Sequence, residues 1–257
     1  MSKWADRVKQ RGCLRIGHRG AAALEPQNTL RAFQRALDLG VDAIEFDVRW
    51  TADRQLVIVH SEDLAETTNG QGKVCERSLA ELRALDAGQG ERIPTLDETL
   101  ELLKDKALMV VDLKLAGHEE DVLQAIMRHG VQDDVLICSG TPASLRRVRE
   151  LAQDVLTAIS YPEDTGGAST KPYLSGVVSV ALAVMRAALP WRIHGMMAQA
   201  QADAAMLYHR LLTSAVIQAI HGQGKLVGAW TVDTADAIHR VREMGVDSIT
   251  SNRPDLL

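Results

Sequence analysis

Residues 14–48 read LRIGHRGAAALEPQNTLRAFQRALDLGVDAIEFDV, and their pattern decides the fold. Apolar, strand-like runs stand at both ends, over 14–17 and 43–48. Between them Leu30, Phe33 and Leu37 share one helical face, Thr29 stands where an N-cap belongs, and Gly40 follows as a C-terminal stop. Strand, helix and strand in that order form the unit of a parallel α/β fold. The first turn, Gly17-His18-Arg19-Gly20-Ala21-Ala22, lacks the GxGxxG of a dinucleotide-binding doubly wound sheet.

The same alternation continues outward from this unit. Strand-like runs recur at 56–60, 108–113, 135–138, 155–159, 195–198, 226–230 and 248–250. Helical faces lie between most of them, such as Leu96, Leu100 and Leu103, or Ile238, Val241 and Met244. Thr95-Leu96-Asp97-Glu98 is a capping box, Thr234 is a further N-cap, and Gly245 a further stop. No linker or composition shift interrupts the 257 residues, a typical length for one TIM (β/α)8 barrel. A single catalytic barrel domain over 1–257 is therefore expected. Nine candidate strands exceed eight barrel slots, and the segment 49–55 is too short for a crossover helix, so one strand must be a rim element. The stretch 61–92, between the third and fourth candidate strands, is the one place for a short excursion over the site.

Composition narrows the partner. A formal net charge of −5 leaves no electrostatic footprint for nucleic acid or an anionic membrane. The N-terminal residues lack the apolar core of a secretory signal, and the apolar run near 177–185 is broken by Ser179 and stopped by Arg186, short of a bilayer span. Cys13, Cys75 and Cys138 are far apart and form no CxxC pair, which reads as three reduced thiols in a cytoplasmic protein. A small-molecule partner without stable membrane association is expected, with homo-oligomerisation left open.

In parallel α/β folds ligands bind at the carboxyl ends of the strands. The first candidate strand ends in His18-Arg19-Gly20, the third in His60, the fourth in Asp112 and Lys114, the fifth in Ser139, and a late one in Trp230. The second carries Glu45 and Asp47 two apart, so both carboxylates share a side while Ile44, Phe46 and Val48 face the other way. Carboxylates gathered this closely need a cation, and oxygen-only ligation selects Mg²⁺ or Ca²⁺. Arg19 and Lys114 would meet an anion, and two histidines supply an acid and a base near neutral pH. Metal, cations and a histidine pair together point to phosphoryl-ester chemistry.

Several runs carry a more specific resemblance. His18-Arg19-Gly20, Pro26-Gln27-Asn28-Thr29, Glu45-Phe46-Asp47-Val48 and Thr51-Ala52-Asp53 leading to Val57-Ile58-Val59-His60 resemble the N-terminal signature of the glycerophosphodiester phosphodiesterases. Ala229-Trp230-Thr231-Val232-Asp233, Gly245-Val246-Asp247-Ser248-Ile249 and Asn252-Arg253-Pro254-Asp255 are similar to that family's last two strand motifs. The resemblance implies a TIM barrel that hydrolyses glycerophosphodiesters to sn-glycerol 3-phosphate and an alcohol. It implies Glu45, Asp47 and Asp112 as metal ligands, His18 and His60 as general acid and base, and Arg19 and Lys114 as phosphate contacts. The chain departs from the family pattern at Asp112 (often Glu), Gln27 (usually Glu, with Glu25 nearby as a substitute), Ser61 and Asn252 (each in place of Asp) and Glu66 (in place of Arg). Competing readings are a silent phosphodiester-binding barrel, or an enzyme acting on lysophospholipids or sugar phosphodiesters.

The remaining candidates are weaker. Ser139 as a substrate contact is explained equally well as a turn-capping hydroxyl, and Trp230, which could be core packing, is favoured as a wall of the glycerol or leaving-group site. Trp230 and Trp50 are the rings available to cage an alcohol head group, so broad alcohol recognition is expected. His118, His129, His194, His209, His221 and His239 read as exposed residues. Gly70-Gln71-Gly72-Lys73-Val74 and Gly222-Gln223-Gly224-Lys225-Leu226 lack the Ser/Thr of a phosphate loop. A lipid-handling enzyme should carry an apolar surface patch, and the sole candidate, a helix over 177–189, reads as packing on the barrel.

Overall fold

The computed structural model describes residues 3–162 and 175–257. The elements run α1 (Lys3–Arg11), β1 (Leu14–His18), α2 (Leu30–Asp38), β2 (Ala43–Trp50), β3 (Leu56–Ile58), α3 (Leu79–Arg83), α4 (Leu96–Leu103), β4 (Leu108–Leu113) and α5 (Glu119–His129). They continue with β5 (Val135–Ser139), α6 (Pro142–Leu151), β6 (Leu156–Tyr161), α7 (Ser175–Ala200), β7 (Ala204–Tyr208), α8 (Ser214–His221), β8 (Leu226–Trp230), α9 (Ala235–Glu243) and β9 (Ser248–Ser251). Nine strands form one sheet that closes on itself where β1 pairs with both β2 and β9. The rim element is β3. It pairs antiparallel with β2 alone, which leaves eight parallel strands as a closed TIM barrel.

Strand alternation divides the side chains into two layers. Outward residues such as Ile44, Phe46, Met109, Val111 and Ile137 are buried with helix residues including Phe33, Leu100, Val122 and Leu145. Inward residues near the amino ends, among them Leu14, Ile16, Ala43, Leu108, Val110 and Leu136, fill the barrel with Trp4. Helix α1 had no counterpart in the sequence reading. Its Trp4 is buried and donates from Nε1 to the Asp134 carbonyl at 3.2 Å, so α1 closes the amino end of the barrel. The same inward parity becomes polar toward the carboxyl ends, at His18, Glu45, Asp47 and Asp112.

The excursion lies where expected. Two short 3₁₀ turns, Leu64–Glu66 and Val74–Glu76, and helix α3 anchor on a small core of Val57, Val59, Leu64, Val74, Leu82 and Ile93. Capping boxes fix the starts of α3 at Ser78 and α4 at Thr95.

Three expectations are overturned in the C-terminal half. The run 195–198 is helical, as the end of α7, and the sixth barrel strand is β7, Ala204–Tyr208. The 26-residue α7 continues through Arg186 and Pro190, because a flanking cation does not stop a helix and its neighbours supply apolar surface. Residues 176–200 are long and apolar enough, at a mean hydropathy of 1.4, to meet the length of a bilayer span. Packing on the barrel also fails to account for the helix's composition. Val177, Val180, Val184 and Trp191 are exposed.

Candidate active site

Register brings the predicted residues to one end of the barrel. His18 on β1 pairs with Glu45 on β2, and Asp47 on β2 pairs with Asp112 on β4. Inward parity then points Glu45, Asp47 and Asp112 at one another, and one oxygen from each lies within 4.8 Å of the others. His18 Nε2 stands 3.8 Å from Glu45 Oε2. Lys114 follows β4 and reaches back, donating to Asp112 Oδ2 and standing 2.8 Å from Asp47 Oδ1 as an ion pair without hydrogen-bond alignment.

The loop after β1 completes the cluster. Gly20 has φ +85°, and a Cβ there would lie 2.6 Å from the Ala32 carbonyl carbon, so only glycine lets the loop close on α2. Arg19 and Asn28 also take left-handed backbone, at φ 50° and 58°, and the Asn28 amide donates to the Arg19 carbonyl at 3.0 Å. This conformation aims the Arg19 amide at Glu45 Oε2 (2.9 Å) and the Asn28 side-chain amide at Asp47 Oδ2 (2.7 Å). Arg19 Nε lies 3.2 Å from the same Asp47 oxygen, while its Nη1 donates to Gln27 Oε1. Gln27 thus makes the guanidinium contact itself. Glu25, suggested as its substitute, pairs instead with Arg31 at 2.6 Å.

His18 is oriented from behind. Asp233 accepts from the Asn252 backbone and side-chain amides, both at 2.8 Å, which turns Asn252 Oδ1 toward His18 Nδ1 at 2.7 Å. A carboxylate is an acceptor only, so Asn252 Oδ1 must accept the Nδ1 proton, leaving the His18 Nε2 lone pair facing the carboxylates. Among the described residues, no side chain hydrogen-bonds the His60 ring. Arg49 Nε holds its backbone carbonyl at 2.9 Å, and Ser61 turns its hydroxyl to the Asp63 amide at 3.1 Å.

Charge in this buried space is unevenly shared. Burial and the neighbouring Asp47 push Glu45 well above the usual carboxylate range. Burial also raises Asp112 against the pull of Lys114. Burial opposes ionisation of Asp47 too, but Lys114 and Arg19 outweigh it and hold Asp47 low. Lys114 is desolvated, yet Asp112 and Asp47 keep it firmly protonated. Burial, then the Arg19 charge, lowers His18 to about 4, and burial lowers His60 to about 3. Three carboxylates therefore face two cations, with Glu45 and Asp112 resisting ionisation and Asp47 holding the charge. An all-oxygen set of this kind fits one hard divalent cation, which would relieve the repulsion that raises Glu45.

Matches to known proteins agree with this geometry. The model of the glycerophosphoryl diester phosphodiesterase family matches residues 18–256. The chain belongs to that family. A glycerophosphodiester phosphodiesterase of Caldanaerobacter subterraneus subsp. tengcongensis is 32% identical over 255 residues, covering 94% of this chain and 95% of the relative. Among solved structures, a putative glycerophosphoryl diester phosphodiesterase from Silicibacter pomeroyi superposes with a TM-score of 0.78 at 27% identity, covering 95% of this chain and 91% of that one. An Oleispira antarctica phosphodiesterase solved with its product sn-glycerol-3-phosphate shares the fold, with a TM-score of 0.77 at 24% identity and 93% of each chain covered. This family member is a phosphoric diester hydrolase whose substrates are glycerophosphodiesters.

Other candidates stand apart from the cluster. The Ser139 hydroxyl is committed to the turn, donating to the Leu113 carbonyl at 3.1 Å and accepting from the Thr141 amide at 3.2 Å. Trp230 sits at the carboxyl end of β8, donates to the Met206 carbonyl at 2.8 Å and packs near Tyr208. Trp50 stacks on His118, with ring centroids 3.7 Å apart. His118 is thereby mostly covered and also pairs with Asp121, and His129 is mostly covered beside Asp97, so neither is the exposed residue expected. His209 is only partly exposed, its ring edge-on to Tyr208, whereas His194, His221 and His239 are exposed. The sequence reading did not single out Asn28 or Asp233 as site residues. Asn28 was detectable as the residue that most readily takes positive φ beside glycine.

Proposed function

We propose that this enzyme hydrolyses water-soluble glycerophosphodiesters to sn-glycerol 3-phosphate and an alcohol, with Glu45, Asp47 and Asp112 holding one Ca²⁺ or Mg²⁺ and His18 and His60 exchanging protons. The observation that carries this reading is the convergence of three inward carboxylates within 4.8 Å beside two desolvated histidines. When bound, the cation would polarise a phosphate oxygen and acidify the attacking hydroxyl. His18, with Nδ1–H fixed on Asn252, offers Nε2 as the base. His60 protonates the leaving alkoxide, taking up its proton as the anionic phosphate arrives beside it. Arg19 and Lys114 are the cations that meet the phosphate, Trp230 borders the site, and Ser139 supports it through the turn.

A cavity of about 680 Å³ opens between the loop after β1 and the excursion, lined by Glu25, Gln27, Glu66, Thr67 and Asp86 among others. Gln27 and Thr67 also line the small space against His60, which makes the larger cavity the place for the departing alcohol. Among the described residues no aromatic ring lines it, in keeping with broad alcohol recognition. The free thiols Cys13, Cys75 and Cys138 support a cytoplasmic location, and the continuous barrel supports one catalytic domain over 1–257.

Hydrolysis of glycerophosphocholine followed by phosphorus NMR tests the roles. His18→Ala and His60→Ala should each lower kcat at least about a hundredfold. Near-unchanged turnover in either would contradict the assignment. A transient cyclic phosphate would identify the glycerol 2-hydroxyl as nucleophile, and its absence a bound water.

A further inference from the structure

Helix α7 has two apolar faces. Leu189, Ile193, Met197 and Ala200 are buried against the barrel, with Leu182 and Met185 partly buried above them. On the opposite side Val177, Val180, Val184 and Trp191, spaced at helical intervals, are 68, 66, 63 and 88% exposed. A helix that is apolar all round is normally enclosed by protein, and among the described residues this one is covered along one side only.

Its length and direction place the outer stripe. At 26 residues α7 is about 39 Å long, whereas the five-residue strands β5 and β7 span about 17 Å. Ala200 leads into the amino end of β7, so α7 runs antiparallel to the strands, and it packs against the turn His209–Leu211 that follows β7. The fully buried residues of α7, Leu189, Ile193, Met197 and Ala200, span about the height of the barrel. The earlier part of the helix therefore extends past the carboxyl ends of the strands, at the end of the barrel where the active site opens.

Charge selects the occupant. The helix carries Arg186, Arg192 and His194 but no Asp or Glu, within a chain of formal net charge −5. A second copy meeting it helix to helix would cover the valines but bring no counter-charge for the arginines, since the helix has no Asp or Glu. An anionic lipid surface supplies both an apolar layer for the valines and Trp191 and a counter-charge for the arginines.

We propose that α7 docks the enzyme on an anionic phospholipid surface, lying in the headgroup plane with the catalytic mouth beside it. This inference deepens the proposed function by placing the hydrolase at the membrane, where deacylation of phospholipids leaves glycerophosphodiesters. The expectation of no stable membrane association came from net charge, which averages over this one cationic, apolar helix, and from an apolar run read as ending at Arg186 and packing on the barrel.

Co-sedimentation with phosphatidylcholine vesicles, with and without phosphatidylglycerol, tests the docking without catalysis. The full chain should bind the phosphatidylglycerol vesicles. Val180→Glu with Val184→Glu, and separately Arg186→Gln with Arg192→Gln, should each weaken binding at least about tenfold, with glycerophosphocholine hydrolysis in solution unchanged as the control for folding. No binding, equal binding to neutral vesicles, or binding insensitive to either pair would overturn the proposal. So would a dimer in sedimentation velocity that the valine pair dissolves. None of these outcomes touches the assignment of the reaction.

Discussion

Asn252 shows how one residue sets the chemistry of another. It lies 234 positions from His18 and fixes which ring nitrogen carries the proton. Replacing it with Leu should lower kcat between about 10- and 100-fold with little change in KM, because orientation rather than substrate contact is lost. Asn252→Asp should restore most of the rate, whereas equal loss in both variants would point to a structural role. Gly20→Ala should instead lower the urea midpoint, at a cost of about 1–3 kcal/mol, since the new Cβ meets backbone that cannot move aside. At this scale Glu45 and Asp47 were legible because strand alternation fixes where they point. Asn252 was not, since its contact depends on closure of the barrel, and Asn28 was legible only as a residue suited to left-handed backbone, not as the partner of Asp47.

Among the elements, strands with a turn signal on each side were found nearly to the residue, and the capping box at Thr95 marked its helix correctly. The failures share a physical cause. An apolar segment reads alike whether it is strand or buried helix, so 195–198 passed for a strand when it was the last turn of α7. Helix α1 was missed because its single large apolar anchor, Trp4, sits among charged residues. That anchor should matter greatly. Trp4→Ala should destabilise the fold by about 3–5 kcal/mol in urea titration, while kcat of the folded fraction stays within about twofold, because the hole opens at the end of the barrel opposite the site. A loss of kcat without loss of stability would be inconsistent with α1 as a plug.

For the whole molecule, closure of the barrel gathers residues from both ends of the chain, and the desolvation it imposes ties catalysis to stability. His18 and His60 are lowered from an ordinary 6.5 to about 4 and about 3. Between those values and 6.5 the unfolded chain binds protons that the folded chain refuses, so their contribution is complete above about 6.5 and is lost as pH falls through that window. Glu45 and Asp112, pushed upward, act in the opposite sense, so the histidine part is read by difference. In metal-free protein, His18→Gln with His60→Gln should gain stability relative to the unaltered chain as pH drops from about 7 to about 5. An unchanged difference would place the histidines in water.

On the proposed reading, Glu45, Asp47 and Asp112 hold a divalent cation for phosphodiester hydrolysis. Release of sn-glycerol 3-phosphate from glycerophosphocholine, followed through chelation and re-addition of Ca²⁺ or Mg²⁺, tests it most directly. Chelator should abolish release, and one of the two ions should restore it in the unaltered enzyme but not in Glu45→Gln with Asp47→Asn. Undiminished release in chelator, or full restoration in that double variant, would contradict the account.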